Sequence, residues 1–190
     1  PCITSAVPNM VGGETILCDL GASPDVDPSD MVRFANMGAA YAKVVCGIEE
    51  PRVGLLSNGT EDEKGSAFTK ACFPLMAEQV PGFVGNREGG DILSGSTDVV
   101  VADGFAGNVA LKSIEATAKF LLKELKRAFL GSTKGKLAAL MLKSSITELK
   151  EKLSGATSVE AVKNGTLAAA GMVRSDLVGH IAASIDNLVS

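Results

Sequence analysis

Over the first hundred residues, short apolar runs alternate with longer stretches of three- and four-residue periodicity, and that alternation predicts the fold. "ETILCDLGA", Glu14 to Ala22, is a buried strand ended by Gly21. The polar "SPDVDP" is a loop. Asp30 then starts a helix over Met31–Cys46, where Gly38, Ala39 and Ala40 permit close packing. A second strand, Arg52–Leu56, runs into "SNGT". The next helix covers Ser66–Gln79, with Pro74 expected to kink it or end it early. "GFVGN" makes a short third strand and Asp98–Ala102 a fourth. Short, continuously apolar strands separated by helices form an α/β fold, a parallel sheet flanked by helices on both faces.

From Val109 the pattern becomes helical. Leu111, Ile114, Ala118, Leu121, Leu122, Leu125 and Phe129 mark one apolar face, and after "GSTKGK" the stretch Leu137–Leu153 repeats the arrangement. The expectation is a protruding αα-hairpin of two antiparallel helices. "SGATS" breaks the pattern, and Val159–Ala170 and Ser175–Leu188 are closing helices. The chain thus divides into an α/β core (1–110), a helical hairpin (111–153) and C-terminal helices (154–190). The hairpin's apolar face exceeds what one lobe can cover, which predicts a homodimer.

Composition narrows the function classes. At 46% hydrophobic and 21% charged residues, the 190-residue chain can bury a core and has no run of membrane-spanning length. A net charge of −4 with aromatics at 4% argues against nucleic acid as a partner. The cysteines, Cys2, Cys18, Cys46 and Cys72, show no CxxC spacing and there is one histidine, His180, so no metal is expected. Free thiols fit a reducing cytoplasm. The chain opens at Pro1 without a methionine, as a fragment or processed chain would.

Two strand ends carry the candidate chemistry: "SNGTEDEKGS" after Arg52–Leu56 and "DGFAGN" after Asp98–Ala102. In a parallel sheet the carboxyl ends of the strands share one edge, where ligands bind. Glycines there let backbone N–H groups approach an anion, and a following helix N-terminus adds partial positive charge. The expected phosphate- and substrate-binding set is Asn58, Gly59, Thr60, Glu61, Gly65, Ser66, Gly104 and Gly107. Lys64 neutralises the phosphate, Asn108 opens the helix and donates to it, and Asp103 is a general base or an orienting acceptor. Glycine and asparagine also cluster at such turns for conformational reasons alone. Neither GxGxxG nor GxxxxGK[ST] occurs, and no cofactor is implied.

The stretches "TILCDLGASPDVDPSDMVRFANMGAAYAKVVCGIEEPRVGLLSNGTEDEKGSAFTK" and "GFVGNREGGDILSGSTDVVVADGFAGNVALKSIE" resemble the PlsX phosphate acyltransferases of phospholipid synthesis, densely from Glu14 to Glu115. "KGKLAALMLKSSITELKEKL" resembles that family's helical hairpin more loosely. The resemblance implies a lobe of the phosphotransacetylase and isocitrate-dehydrogenase type. It also implies exchange of an acyl group between a thioester and inorganic phosphate. One departure stands out: "LKEKL" passes almost directly into "SGATSVEAVKNG", where the family carries a glycine-rich stretch, a strand and a His-Gly-Ser-Ser-like motif. That departure points to the PlsX-like subunit of glycine, sarcosine and betaine reductase complexes, which releases acetyl phosphate and works with other subunits. Thr166 then stands where that branch carries its acyl-bearing cysteine, and is placed with Lys64, Asp103 and Asn108 in the catalytic set. The alternatives are the phospholipid enzyme itself, with peripheral membrane contact through the hairpin, and a non-catalytic interaction domain.

Overall fold

A five-stranded sheet in the order β1-β2-β5-β3-β4 organises the computed structural model, which describes residues 2–154. The strands are β1 (Thr4–Pro8), β2 (Glu14–Cys18), β3 (Val53–Leu56), β4 (Phe83–Arg87) and β5 (Val99–Val101). β2, β5, β3 and β4 run parallel, while β1 pairs antiparallel with β2 at one edge. The helices are α1 (Pro28–Cys46), α2 (Ala67–Gln79), α3 (Asp91–Ser94), α4 (Gly104–Leu130), α5 (Thr133–Met141) and α6 (Lys143–Ser154).

Strand alternation assigns the two layers. Ile16, Cys18, Val53, Leu55, Val99 and Val101 point to the face covered by α1 and α2. Val7, Leu17 and Val100 point to the other, where Ile92 of α3 and Leu111 of α4 meet them. Each such side chain contributes about 1.5–3 kcal/mol on burial. The close packing expected along α1 is made at Gly38. A Cβ there would lie 2.8 Å from Val99 Cγ1 and 3.0 Å from Cys18 Sγ.

The boundaries depart from expectation for identifiable reasons. β1 was not anticipated: it is a short edge strand, mostly half-buried, whose sequence lacks an apolar run. α1 begins at Pro28 behind Asp27, not at Asp30; Asp30 instead accepts the Asp27 N–H at 3.4 Å, holding the first turn. Pro74 does not stop α2, which continues to Gln79. Its ring is exposed, whereas Cys72 and Met76 are fully buried, and that packing outweighs the missing backbone bond. The hairpin's return arm is two helices and not one, broken at Leu142 just before the weak helix formers Ser144 and Ser145. α4 runs unbroken across residue 110, so its first turns belong to the α/β layer. Phe120, Leu121, Leu137, Leu140 and Met141 are exposed. Among the described residues no helix is long and apolar enough to cross a membrane. Val159–Ala170, Ser175–Leu188, Thr166 and His180 lie outside the described residues.

Candidate functional site

The ends of β3 and β5, neighbours in the parallel sheet, open into one cleft of about 510 Å³. That is the size of a small-ligand site. Met31, Leu55, Leu56, Phe68, Ala102 and Ala106 supply apolar wall, and Ser57, Asn58, Gly65, Ser66, Thr69 and Asp103 supply polar groups. The two loops expected to share an edge therefore do so. They share it because β3 and β5 are parallel and in register, Val53 opposite Val99 and Leu55 opposite Val101.

Two helices begin at this cleft, each behind a side-chain cap. Ser66 Oγ accepts the Thr69 N–H at 3.1 Å and starts α2. Asp103 Oδ1 accepts the Ala106 N–H at 2.7 Å and starts α4. Such caps satisfy one of the four amides that a helix start leaves without an intrahelical partner; at α4 the Gly104 and Gly107 N–H groups are bonded as well, to Ser23 O and Asp103 O. Met31, near the start of α1, adds apolar wall to the same cleft.

The expected residues divide into three groups. Asn58, Gly65, Ser66 and Asp103 line the cleft. Lys64 sits on the exposed turn just before Gly65, its stem folded over buried Gly59: a Cβ on Gly59 would lie 2.8 Å from Lys64 Cγ. Thr60 and Glu61 are exposed on that turn, and the Glu61 carbonyl accepts the Asn86 Nδ2–H at 2.7 Å, tying the turn to β4. The third group does not reach the cleft as expected. Asn108 is not the helix opener, because Asp103 caps α4 one turn earlier; Asn108 is exposed, its side chain against Gly21. Nor do Gly104 and Gly107 present free amides. The Gly104 N–H donates to Ser23 O at 3.0 Å and the Gly107 N–H to Asp103 O at 2.9 Å. Both glycines allow close approach instead. A Cβ on Gly104 would lie 2.8 Å from Ser23 O, and one on Gly107 would overlap Asp19 O.

Asp19 is a residue that sequence reasoning missed. It is fully buried, and its carboxylate accepts N–H bonds from Ile3 (2.7 Å), Leu20 (2.6 Å), Ala22 (3.3 Å) and Ser23 (2.7 Å). It holds the turn after β2, whose Ser23 carbonyl in turn receives Gly104 at the start of α4. Asp19 is thus a positioning residue for the cleft. Its sequence signal was an acid embedded in an apolar run, "LCDLG". Cys72, on the buried face of α2, has its thiol pushed up to about 11 by burial and by the Asp103 charge, which disfavours the thiolate form. Among the described residues no group of His, Cys, Asp and Glu is arranged to hold a metal ion.

A family model described as "Fatty acid synthesis protein" matches residues 1–178. The chain belongs to that family. Its relatives include proteins named phosphate acyltransferase. That of Lysinibacillus sphaericus is 47% identical over 153 residues, covering 80% of this chain and 46% of that protein. That of Oceanobacillus iheyensis is 38% identical over 208 residues, covering 99% of this chain and 63% of that protein. This family member therefore spans about half to under two thirds of the length of these relatives. The second alignment is longer than the chain itself, so that relative carries residues this one lacks. EutD phosphotransacetylase from Staphylococcus aureus overlays 60% of this chain with 42% of its own, at 18% identity and a TM-score of 0.43. That likeness is too loose to carry any residue across.

Proposed function

We propose that this chain carries the phosphate site of an enzyme that moves an acyl group from a thioester to inorganic phosphate, giving an acyl phosphate. One observation carries the reading: two capped helix starts, with Ser66, Asn58 and Asp103, face a single cleft at neighbouring strand ends. The relatives' name, phosphate acyltransferase, supports the same chemistry. It favours the phospholipid-type enzyme over the acetyl-phosphate-forming subunit of an amino-acid reductase complex.

In this reading phosphate rests against the starts of α2 and α4, and Lys64 reaches over from the rim to supply the full positive charge. A phosphate oxygen attacks the thioester carbonyl carbon. The carbon–sulfur bond breaks, an acyl phosphate forms, and the sulfur leaves as a thiol. Asp103 takes the proton of the attacking phosphate and returns it to the departing thiolate. The amide ends and Lys64 stabilise the charge on the carbonyl oxygen as it develops. Exposed Phe120 and Leu121 of α4, with Leu137 and Leu140 of α5, form a dimer face, or in the phospholipid-type enzyme a peripheral membrane contact. We place the enzyme in the cytoplasm.

Calorimetry on Lys64→Ala tests the anion site. A charged hydrogen bond is worth roughly 1.5–3 kcal/mol, so phosphate affinity should fall about ten- to a hundredfold and fade with added salt. Unchanged affinity in a folded variant would remove Lys64 from the site.

A further inference from the structure

Ser57 immediately follows β3 and lines the cleft, yet its hydroxyl is the one in that wall left without a partner. Ser66 and Thr69, also in the wall, bond to each other at 3.1 Å, and Ser66 additionally caps α2. The Ser57 backbone N–H donates to Arg87 O at 2.8 Å. Its Oγ is shielded from solvent and unbonded among the described residues. A buried hydroxyl in that state costs stability in the free protein. The space beside it is shaped by Gly65. At φ +113 that residue adopts a conformation suited to glycine, and a Cβ on it would stand 3.1 Å from Ser57 Oγ and 2.7 Å from Thr69 Cβ.

From these observations, and resting on the phosphate reading above, we infer that Ser57 is a ligand-binding residue whose hydroxyl is recruited by the bound phosphate. Recruitment requires a χ1 rotation that turns the Oγ from its shielded position to the cleft side. There it donates to a phosphate oxygen lying over Gly65, where no side chain intervenes. The unbonded hydroxyl is then a device that is unfavourable in the free protein and satisfied in the complex. Ser57 differs in this from Asn58, Ser66 and Asp103, which line the cleft without an unpartnered, shielded side-chain oxygen or nitrogen.

The test uses the 190-residue chain and its Ser57→Ala and Ser57→Thr variants, with inorganic phosphate as the probe. Thermal unfolding in phosphate-free buffer should give Ser57→Ala a midpoint equal to or above the parent's, since the substitution removes an unsatisfied group. Its phosphate affinity by calorimetry should fall about five- to tenfold. Ser57→Thr, which keeps the hydroxyl, should bind more tightly than Ser57→Ala. Unchanged phosphate affinity in Ser57→Ala overturns the inference, as does a loss of affinity accompanied by a lowered midpoint, which marks a structural hydroxyl. If Lys64→Ala weakens phosphate while Ser57→Ala does not, this inference fails and the phosphate reading stands. If the parent chain binds no phosphate, both fail.

Discussion

Asp103 carries two duties that substitution separates. One oxygen caps α4 through the Ala106 N–H at 2.7 Å, and the residue also lines the cleft. Asp103→Ala removes both. Loss of an N-cap costs about 1 kcal/mol, with a range of roughly 0.5–2. In a domain of this size that lowers the unfolding midpoint by about 2–4 °C. The loss should stay near that value because α4 keeps its other anchors, the Gly104 bond to Ser23 and the buried Leu111. Asp103→Asn keeps an oxygen for the cap and removes the charge. Its midpoint should fall by less than that of the alanine variant, and its phosphate affinity should hold or rise, since a negative neighbour of an anion is gone. On the proposed function, acyl phosphate formation should drop about 10²–10⁴-fold in both variants, the scale of a lost general base. The assays are differential scanning calorimetry, phosphate titration and thioester consumption. Asp103→Asn with undiminished turnover would refute the acid–base role and leave Asp103 a cap alone.

Other substitutions probe the support beneath the cleft. Gly107→Ala places a Cβ on the Asp19 carbonyl, so the start of α4 must move away from β2. Overpacking of this kind costs about 1–3 kcal/mol, and urea unfolding should show it together with weaker phosphate binding; a neutral result would mean that the helix start is loosely seated. Cys72 gives a pH signature: its thiol is held at about 11 when folded against an ordinary 9.0. The folded state retains a proton that the unfolded state releases, so stability is full below about pH 9 and falls as pH rises toward 11. Cys72→Ala should flatten part of that decline, and an identical pH profile would contradict the shift.

Much of the sheet was legible because buried parallel strands are written as short apolar runs, such as "RVGLL" and "DVVVA". The antiparallel edge was not, since β1 is half-buried and short. The start of α4 was obscured by Gly104 and Gly107, residues of poor helix propensity that are retained because the helix must touch Asp19 and Ser23. The amides of these glycines are bonded, and what they contribute is close packing and not an exposed N–H. Strand ends predicted where the cleft lies, since their position follows from topology. Asp19 and Ser57 were invisible because their significance is relational. One is defined by four amides gathered from two segments, the other by a partner it does not have.

Phosphate titration of the ¹⁵N-labelled chain, followed amide by amide, tests the anion cleft most directly. The account predicts saturable shifts concentrated at Ser57–Asn58, Gly65–Thr69 and Phe105–Ala106, moved to about ten- to a hundredfold higher phosphate by Lys64→Ala and weakened by salt. Shifts confined to other surfaces, or none at phosphate concentrations well above the millimolar range, would contradict it.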